Sequence, residues 1–233
     1  MKPLRFRHSD ELWHDFPALV PGVLYVEGIS RDRDVARQVA AYGLVAERRL
    51  AGSGESELPE IQAWRRAYAR LGLKPTQYRC ASESLLRRFR KEGALPSIHP
   101  LVDLCNAVSM AFAIPVAVLD VAEIVDSLEV RHATGEETYV TFGGTTENPQ
   151  PGEVTFVDAA GNAHARRWTN RQSGRSAVSP TTNTALIVAE ALHDTAPDDI
   201  HRLVATLTDE LSTAWSTNAK TAVLSRSNPE FVV

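Results

Sequence analysis

Asn106 and Ser109 stand three residues apart in a segment that the sequence predicts as a helix. Side chains at this spacing lie on neighbouring turns, so both can approach one ligand or one neighbouring loop. Together they can hold a water molecule or a ligand's amino group; the alternative is a surface pair that bonds to the loop. Gly143 and Gly144 can bring backbone N–H groups close to a ligand, and their alternative is a plain turn.

The sequence motifs of common hydrolases and nucleotide-binding enzymes are absent. The chain contains no GxSxG elbow, no GxxxxGK[ST] loop and no HExxH segment. Its seven histidines, among them His99, His132 and His164, show no metal-ligand spacing. We therefore expect no metal ion and no other cofactor.

Charge is unevenly distributed along the 233 residues. The net charge is −4, yet residues 65–91 contain nine Lys/Arg and one acid, Glu83, and residues 159–189 contain four Arg and no acid. Such segregation can present a basic surface on an acidic body and guide a polyanion to it. The alternative is a set of solvated helix faces whose charges scatter in three dimensions.

The elements that position these residues predict an α+β fold with a mixed, largely antiparallel β-sheet flanked by helices, because short hairpin-like strands outnumber βαβ units. Apolar spacing predicts the helices and strands, and turn residues separate them. We predict helices at 32–50, 59–71, 82–91, 100–112, 179–192 and 197–215. We predict strands at 23–29, 114–120, 128–132, 138–142, 154–157 and 164–168, with an edge strand at 222–224.

Composition indicates a cytoplasmic protein with no membrane segment. No apolar run approaches the roughly 20 residues of a membrane span, and the N-terminal segment shows no apolar stretch of a secretory signal. Cys80 and Cys105 are isolated, so two unpaired thiols are expected rather than a disulfide. The length suits one large domain or two small ones, and we predict a single domain over residues 1–233.

Two long strings carry a family resemblance. They are YRCASESLLRRFRKEGALPSIHPLVDLCNAVS at 78–109 and RRWTNRQSGRSAVSPTTNTALIVAEAL at 166–192, and IPVAVLD and PGEVTFVDAAG lie between them. The chain resembles the B3/B4 domain, the editing module of the phenylalanyl-tRNA synthetase β subunit that also occurs in freestanding bacterial proteins. The resemblance covers about 15–195 and leaves a C-terminal helix and tail at 196–233. It departs from the family where His99 replaces the asparagine of SINP, and where an aromatic near Asn170 is missing.

The resemblance implies a B3/B4-like fold and a trans-acting deacylase that hydrolyses the ester of a mischarged tRNA. An aminoacyl ester is already activated, so a positioned water and donors for the oxyanion suffice. Its partners would be the aminoacylated 3′ end of tRNA and an aminoacyl-tRNA synthetase. The catalytic candidates are Asn106, Ser109, Gly143 and Gly144.

The resemblance also implies which residues would bind the substrate. Trp168 with the planar polar groups beside it suits a terminal adenosine, and its alternative is a buried tryptophan near Arg–carboxylate pairs. Glu153 can bind an amine or be a solvated charge at a strand edge. The substrate-binding candidates are Glu153, Trp168, Asn170, Arg171, Gln172 and His99. The candidates for tRNA phosphate are Arg79, Arg87, Arg88, Arg167 and Arg175.

Two other functions stay open on the sequence. The first is a tRNA- or RNA-binding module that has lost its hydrolytic pocket. The second is an esterase or amidase for small molecules, which would not need the basic segments and would be nearly insensitive to salt.

Overall fold

Two β-sheets form the framework of the protein, whose computed structural model describes residues 3–233. Residues 1 and 2, which the predicted domain includes, lie outside the described residues. The strands are β1 Arg5–His8, β2 Val20–Glu27, β3 Val116–Asp120, β4 Ser127–His132, β5 Thr138–Val140, β6 Thr146–Glu147, β7 Val154–Asp158, β8 Asn162–Arg166, β9 Arg171–Gln172, β10 Thr184–Ala191, β11 Lys220–Val223 and β12 Glu230–Val232. The helices are α1 Asp10–Asp15, α2 Ala36–Gly52, α3 Pro59–Arg70, α4 Ala81–Glu92, α5 Pro100–Phe112 and α6 Ala196–Trp215.

The larger sheet has the order β12-β1-β4-β7-β8-β5-β6, and β9 also pairs with β8. Its β1–β4 and β5–β8 pairs are parallel, and its other pairs are antiparallel. The smaller sheet is antiparallel throughout, in the order β11-β2-β10-β3. The predicted fold class, a mixed and largely antiparallel α+β structure, is confirmed.

Helices α5 and α6 pack on the smaller sheet through the apolar stripes that the sequence predicted. Leu101, Leu104, Cys105 and Val108 of α5 are buried. The α6 stripe is buried as well, and Trp215 at its end donates from Nε1 to the carbonyl of Ser30. The long apolar stripe of α6 is therefore part of the core.

The segment predicted as a helix at 179–192 is instead a strand, β10. Its alanine and leucine content favours a helix locally, but β10 lies between β2 and β3 and pairs with both. A strand that is covered on both faces is apolar throughout and shows no period of two. Pairing on both edges outweighs the local helix propensity here.

The other predicted helices and strands are present with shifted ends. Asp34 rather than Asp32 accepts a hydrogen bond at the start of α2, from the Ala36 N–H. The cap position of α4 is Cys80, so this helix begins at Ala81. The Ser82 hydroxyl is buried and donates to the carbonyl of Ala113, which joins α4 to the end of α5.

None of the helices within residues 3–233 combines the length and apolar character needed to cross a membrane. Cys80 and Cys105 are buried, separate thiols. Burial raises the pKa of each thiol to about 12, which keeps both protonated at neutral pH.

The contact between α6 and β2 depends on Gly22. A Cβ added there would lie 2.6 Å from Val204 Cγ2 and 2.9 Å from Ile200 Cγ2. We expect Gly22→Ala to lower the free energy of unfolding by about 1–3 kcal/mol, because the helix must move away from the sheet. Urea unfolding measures the loss.

Gly52→Ala is the matched control, since nothing lies within 4 Å of a Cβ at that position. The control is expected to keep wild-type stability. Equal stability of the two variants would contradict close packing at Gly22.

Candidate functional site

A narrow cavity of about 60 Å³ lies between the two sheets. The larger sheet contributes Phe156 and Ala165, and the smaller sheet contributes Ala117, Val188 and Glu190. The loop that follows β8 and the short strand β9 close one side with four of the predicted substrate-binding residues. These are Trp168, Asn170, Arg171 and Gln172.

Glu190 supplies the buried carboxylate of this cavity. Its Oε1 lies 2.7 Å from Nε2 of His8 and accepts a hydrogen bond of 2.9 Å from the indole N–H of Trp168. Both contacts use Oε1, and no hydrogen bond within residues 3–233 uses Oε2. The second oxygen is therefore available to an ammonium or hydroxyl donor in the cavity.

Sequence reasoning missed Glu190 because it interpreted residues 179–192 as a helix. As a strand, TALIVAEA contains a single charged residue among apolar ones. A carboxylate is rarely buried unless it is paired. A lone glutamate in an otherwise apolar strand was the available signal.

Trp168 is fully buried and cannot stack on a nucleotide base. Its ring packs edge-on against Trp64 at 4.9 Å and Phe16 at 4.8 Å between centroids. The alternative interpretation of this residue, a buried tryptophan near Arg–carboxylate pairs, matches its position. Trp168 thus orients Glu190 and fills the core.

The loop after β8 has an unusual backbone. Arg167 and Trp168 have φ values of 46° and 58°, in the left-handed region that non-glycine residues seldom occupy. The strain is balanced by hydrogen bonds from the Arg167 N–H to Glu153 Oε1 and from the Trp168 N–H to the Val154 carbonyl. The conformation turns the indole inward.

Asn170 and Gln172 hold this loop against the rest of the protein. The Asn170 amide donates to the carbonyl of Arg79 at 2.7 Å, and the Gln172 amide donates to the carbonyl of Val118 at 2.7 Å. One N–H of each side-chain amide is thus used within the protein. Both residues line the cavity while fixing its shape.

Asn106 lies in a different cavity. This second cavity has a volume of about 610 Å³ and lies between α2, α5 and the loop at 93–97. Its walls are mostly apolar and include Leu44, Phe89 and Met110. The nearby Asp103 is bound to Ser97 Oγ and the Ile98 N–H.

The structure does not bring Ser109 to a ligand beside Asn106. Ser109 is fully buried, and its hydroxyl donates to the carbonyl of Ile114 at 2.6 Å. The Ser109 hydroxyl thus bonds a carbonyl just beyond the end of α5. Although the two residues are three apart, Asn106 lines the larger cavity and Ser109 does not. His99 caps α5 through Nδ1, which accepts the Leu101 N–H, while its buried Nε2 has no hydrogen-bond partner among residues 3–233.

Gly143 and Gly144 form an exposed turn between β5 and β6. Gly144 has φ of 81°, and its N–H donates to the carbonyl of Thr141 at 3.0 Å. Neither glycine lines the cavity between the sheets. Their geometry matches the plain-turn alternative.

Glu153 is paired inside the protein. Its two oxygens accept hydrogen bonds of 2.9 Å from Nε and Nη2 of Arg166. Burial raises the pKa of Glu153, but the hydrogen bonds and charge of Arg166 lower it by more. The pKa of Glu153 therefore lies below its ordinary value of 4.5. The carboxylate is thus ionised and occupied, and no oxygen is directed to a substrate amine.

Several arginines predicted to bind phosphate form ion pairs. Arg79 lies 3.5 Å from Glu83, Arg87 lies 3.7 Å from Glu55, and Arg88 lies 2.8 Å from Glu92. Glu55 and Glu92 lie outside residues 65–91, so the fold reduces the charge of that segment. Arg167 instead covers the ring of Tyr78 at 4.8 Å, and Arg175 is exposed.

A buried Ser–His–Asp arrangement joins β7, β8 and the loop after β9. Nδ1 of His164 lies 2.8 Å from Ser176 Oγ, and Nε2 lies 3.2 Å from Asp158 Oδ2. All three residues are buried, and none lines the cavity between the sheets. This group stabilises the fold and offers no accessible nucleophile.

Among residues 3–233, one trio of potential metal ligands is brought together from distant parts of the sequence: Glu60, His193 and Asp199. Arg49 binds both oxygens of Glu60, at 2.7 and 2.8 Å, and Arg202 binds Asp199. The two guanidinium groups already neutralise the two carboxylates, which disfavours a further cation there.

The chain belongs to the B3/4 domain family, whose sequence model matches residues 63–212. Its structure is similar to the crystal structure of an N-terminal fragment of the phenylalanyl-tRNA synthetase β subunit from Pyrococcus horikoshii, with a TM-score of 0.51 and 8% sequence identity. The match covers 99% of this chain and 54% of that fragment, so the chain spans about half its length. The predicted family is confirmed, and the structural similarity shows a shared fold. No curated protein matches the sequence.

Removing the Glu153 carboxylate tests its structural role. We expect Glu153→Gln to lower the free energy of unfolding by about 3 kcal/mol at neutral pH, because it leaves buried Arg166 with Glu147 alone. Because the pKa of Glu153 is lowered in the folded state, its carboxylate stabilises the fold fully above pH 4.5. This stabilisation is lost as the pH falls through the folded-state pKa of Glu153. The variant should therefore approach the wild type in acid, which urea unfolding at successive pH values would measure.

Glu136→Gln is the matched control, because Glu136 is an exposed glutamate close in sequence. It should unfold like the wild type at every pH. A similar loss in both variants would contradict a special role for Glu153.

Proposed function

We propose that the protein is a deacylase that hydrolyses the ester of mischarged aminoacyl-tRNA. Membership of the B3/4 family and the fold shared with a fragment of a phenylalanyl-tRNA synthetase β subunit support a tRNA-related role. The observation that carries the proposal is Glu190, whose carboxylate lies in the cavity between the sheets with one oxygen unused. Aminoacyl-tRNA is a substrate found in the cytoplasm, where we place the protein.

The chemistry requires only water and oriented polar groups. The oxygen of a water molecule attacks the ester carbonyl carbon, and the bond to the ribose oxygen of tRNA breaks. The ribose oxygen takes a proton, and the amino acid and free tRNA leave. Glu190 Oε2 would accept a hydrogen bond from the ammonium or hydroxyl group of the aminoacyl moiety and hold it for attack.

Hydrogen bonds already orient this carboxylate. His8 and Trp168 fix Oε1, so binding a ligand at Oε2 needs little rearrangement. Ala117 and Val188 make the surroundings apolar, which strengthens any charged hydrogen bond formed there. The small volume of the cavity favours a small chemical group rather than a whole nucleotide.

Hydrolysis of a panel of correctly charged and mischarged tRNAs tests the proposal. We expect selective loss of a mischarged species, slowed about 10- to 100-fold by Glu190→Gln because one charged hydrogen bond is weakened. Ala117→Leu, which fills the cavity and keeps the carboxylate, should slow the reaction as well. Thermal melting would confirm that each variant is folded.

Asn106→Ala distinguishes the two cavities. Because Asn106 lines the larger cavity, this variant should hydrolyse tRNA at the wild-type rate. Loss of activity in Asn106→Ala with full activity in Ala117→Leu would move the site to the larger cavity.

Salt dependence distinguishes the alternative functions. For tRNA hydrolysis we expect kcat/KM to fall steeply between about 50 and 200 mM salt, since phosphate contacts release counterions. Salt-sensitive tRNA binding without turnover would favour the binding module. Salt-insensitive turnover of small esters would favour the esterase.

A further inference from the structure

Phe142 is the most exposed of the large hydrophobic side chains in the described part of the chain, at 75%. Gly143, Gly144 and two threonines follow it, and they add little apolar surface to the turn that carries the ring. An isolated exposed ring has one face for stacking but too little apolar area for a protein interface. The ring therefore suits a planar ligand.

The turn that carries Phe142 is ordered by hydrogen bonds. The Thr141 N–H donates to the Thr145 carbonyl at 2.9 Å, and the Thr145 N–H donates to Thr141 Oγ1 at 3.0 Å. The Gly144 N–H donates to the Thr141 carbonyl. The backbone on both sides of Phe142 is thus held in place.

The same turn is joined to the loop that lines the cavity between the sheets. The Gly174 N–H and the Ser173 hydroxyl both donate to the carbonyl of Val140. A Cβ at Gly174 would lie 2.8 Å from the Thr141 carbonyl oxygen and 3.2 Å from Phe142 Cα, so the backbones are in contact. Phe142 therefore lies at a fixed position relative to Gln172 and the cavity.

The segment that adjoins this turn at Gly174 is rich in arginine. Residues 159–189 contain four arginines and no acid. Arg166 and Arg171 both form ion pairs with Glu147. Among residues 3–233, neither Arg167 nor Arg175 forms an ion pair, and Arg167 lies over the ring of Tyr78. Arg175 directly follows Gly174, next to the backbone of Phe142.

We propose that Phe142 and Arg175 form a contact site for single-stranded nucleic acid, with a base stacked on the Phe142 ring and a phosphate at Arg175. Exposed aromatic rings beside unpaired arginines bind unpaired nucleotides in this way. The inference rests on the proposed function, in which the unpaired 3′ end of tRNA reaches the cavity. It gives the stacking role to Phe142, since Trp168 is buried.

Binding of an uncharged RNA of about ten nucleotides ending in CCA tests the site without any ester. Fluorescence anisotropy with a 5′ label would give Kd at several salt concentrations. We expect Phe142→Ala to raise Kd about 10-fold or more, and Phe142→Trp to restore binding, because stacking depends on an aromatic face. Arg175→Ala should reduce the slope of log K against log salt by about 0.7.

Ile98→Ala is the matched control, since Ile98 is 66% exposed in the loop before α5. It should bind RNA like the wild type. Unchanged Kd in Phe142→Ala, equal weakening in Ile98→Ala, or no RNA binding by the wild type would overturn the inference.

The same variant distinguishes this site from the proposed activity. Weaker RNA binding by Phe142→Ala with no hydrolysis of any charged tRNA would support the contact site and reject the deacylase. Hydrolysis with the same KM in wild type and Phe142→Ala would support the deacylase and reject the contact site.

Discussion

A buried carboxylate connects the two sheets of this protein. Glu190 belongs to β10 of the smaller sheet, His8 ends β1 of the larger sheet, and Trp168 follows β8. A buried charge is unfavourable unless hydrogen bonds or an ion pair compensate it. The requirement to satisfy Glu190 therefore fixes how the N-terminal strand, the loop after β8 and the central strand β10 meet.

The loop after β8 illustrates how stability and a candidate site share the same residues. Trp168 takes a left-handed conformation that places its indole against Trp64 and Phe16 and its N–H on Glu190. Aromatic burial and the hydrogen bond compensate the backbone strain. The cavity beside Glu190 is the space that this arrangement leaves between the sheets.

Charge pairing redistributes the basic surface expected from the sequence. Arginines of α3, of α4 and of the segment between them form ion pairs with Glu55, Glu83 and Glu92, so much of the positive charge of residues 65–91 is neutralised locally. Arg167 and Arg175 form no ion pair within residues 3–233 and lie near the cavity loop and the Phe142 turn. Electrostatic attraction of a polyanion would therefore be directed toward that corner.

The sequence by itself determined the family, through the two long strings that resemble it. It also determined the α+β class and most of the elements, because apolar periodicity and turn residues act locally. The stripes of α5 and α6 follow directly from spacing of three and four residues. Only the tertiary structure decided that 184–191 is a strand, since its partners β2 and β3 are distant in sequence. The same holds for the site. Spacing placed Asn106 and Ser109 on one helix, but burial and the hydrogen bonds formed in the folded chain decide which polar atoms remain free for a ligand.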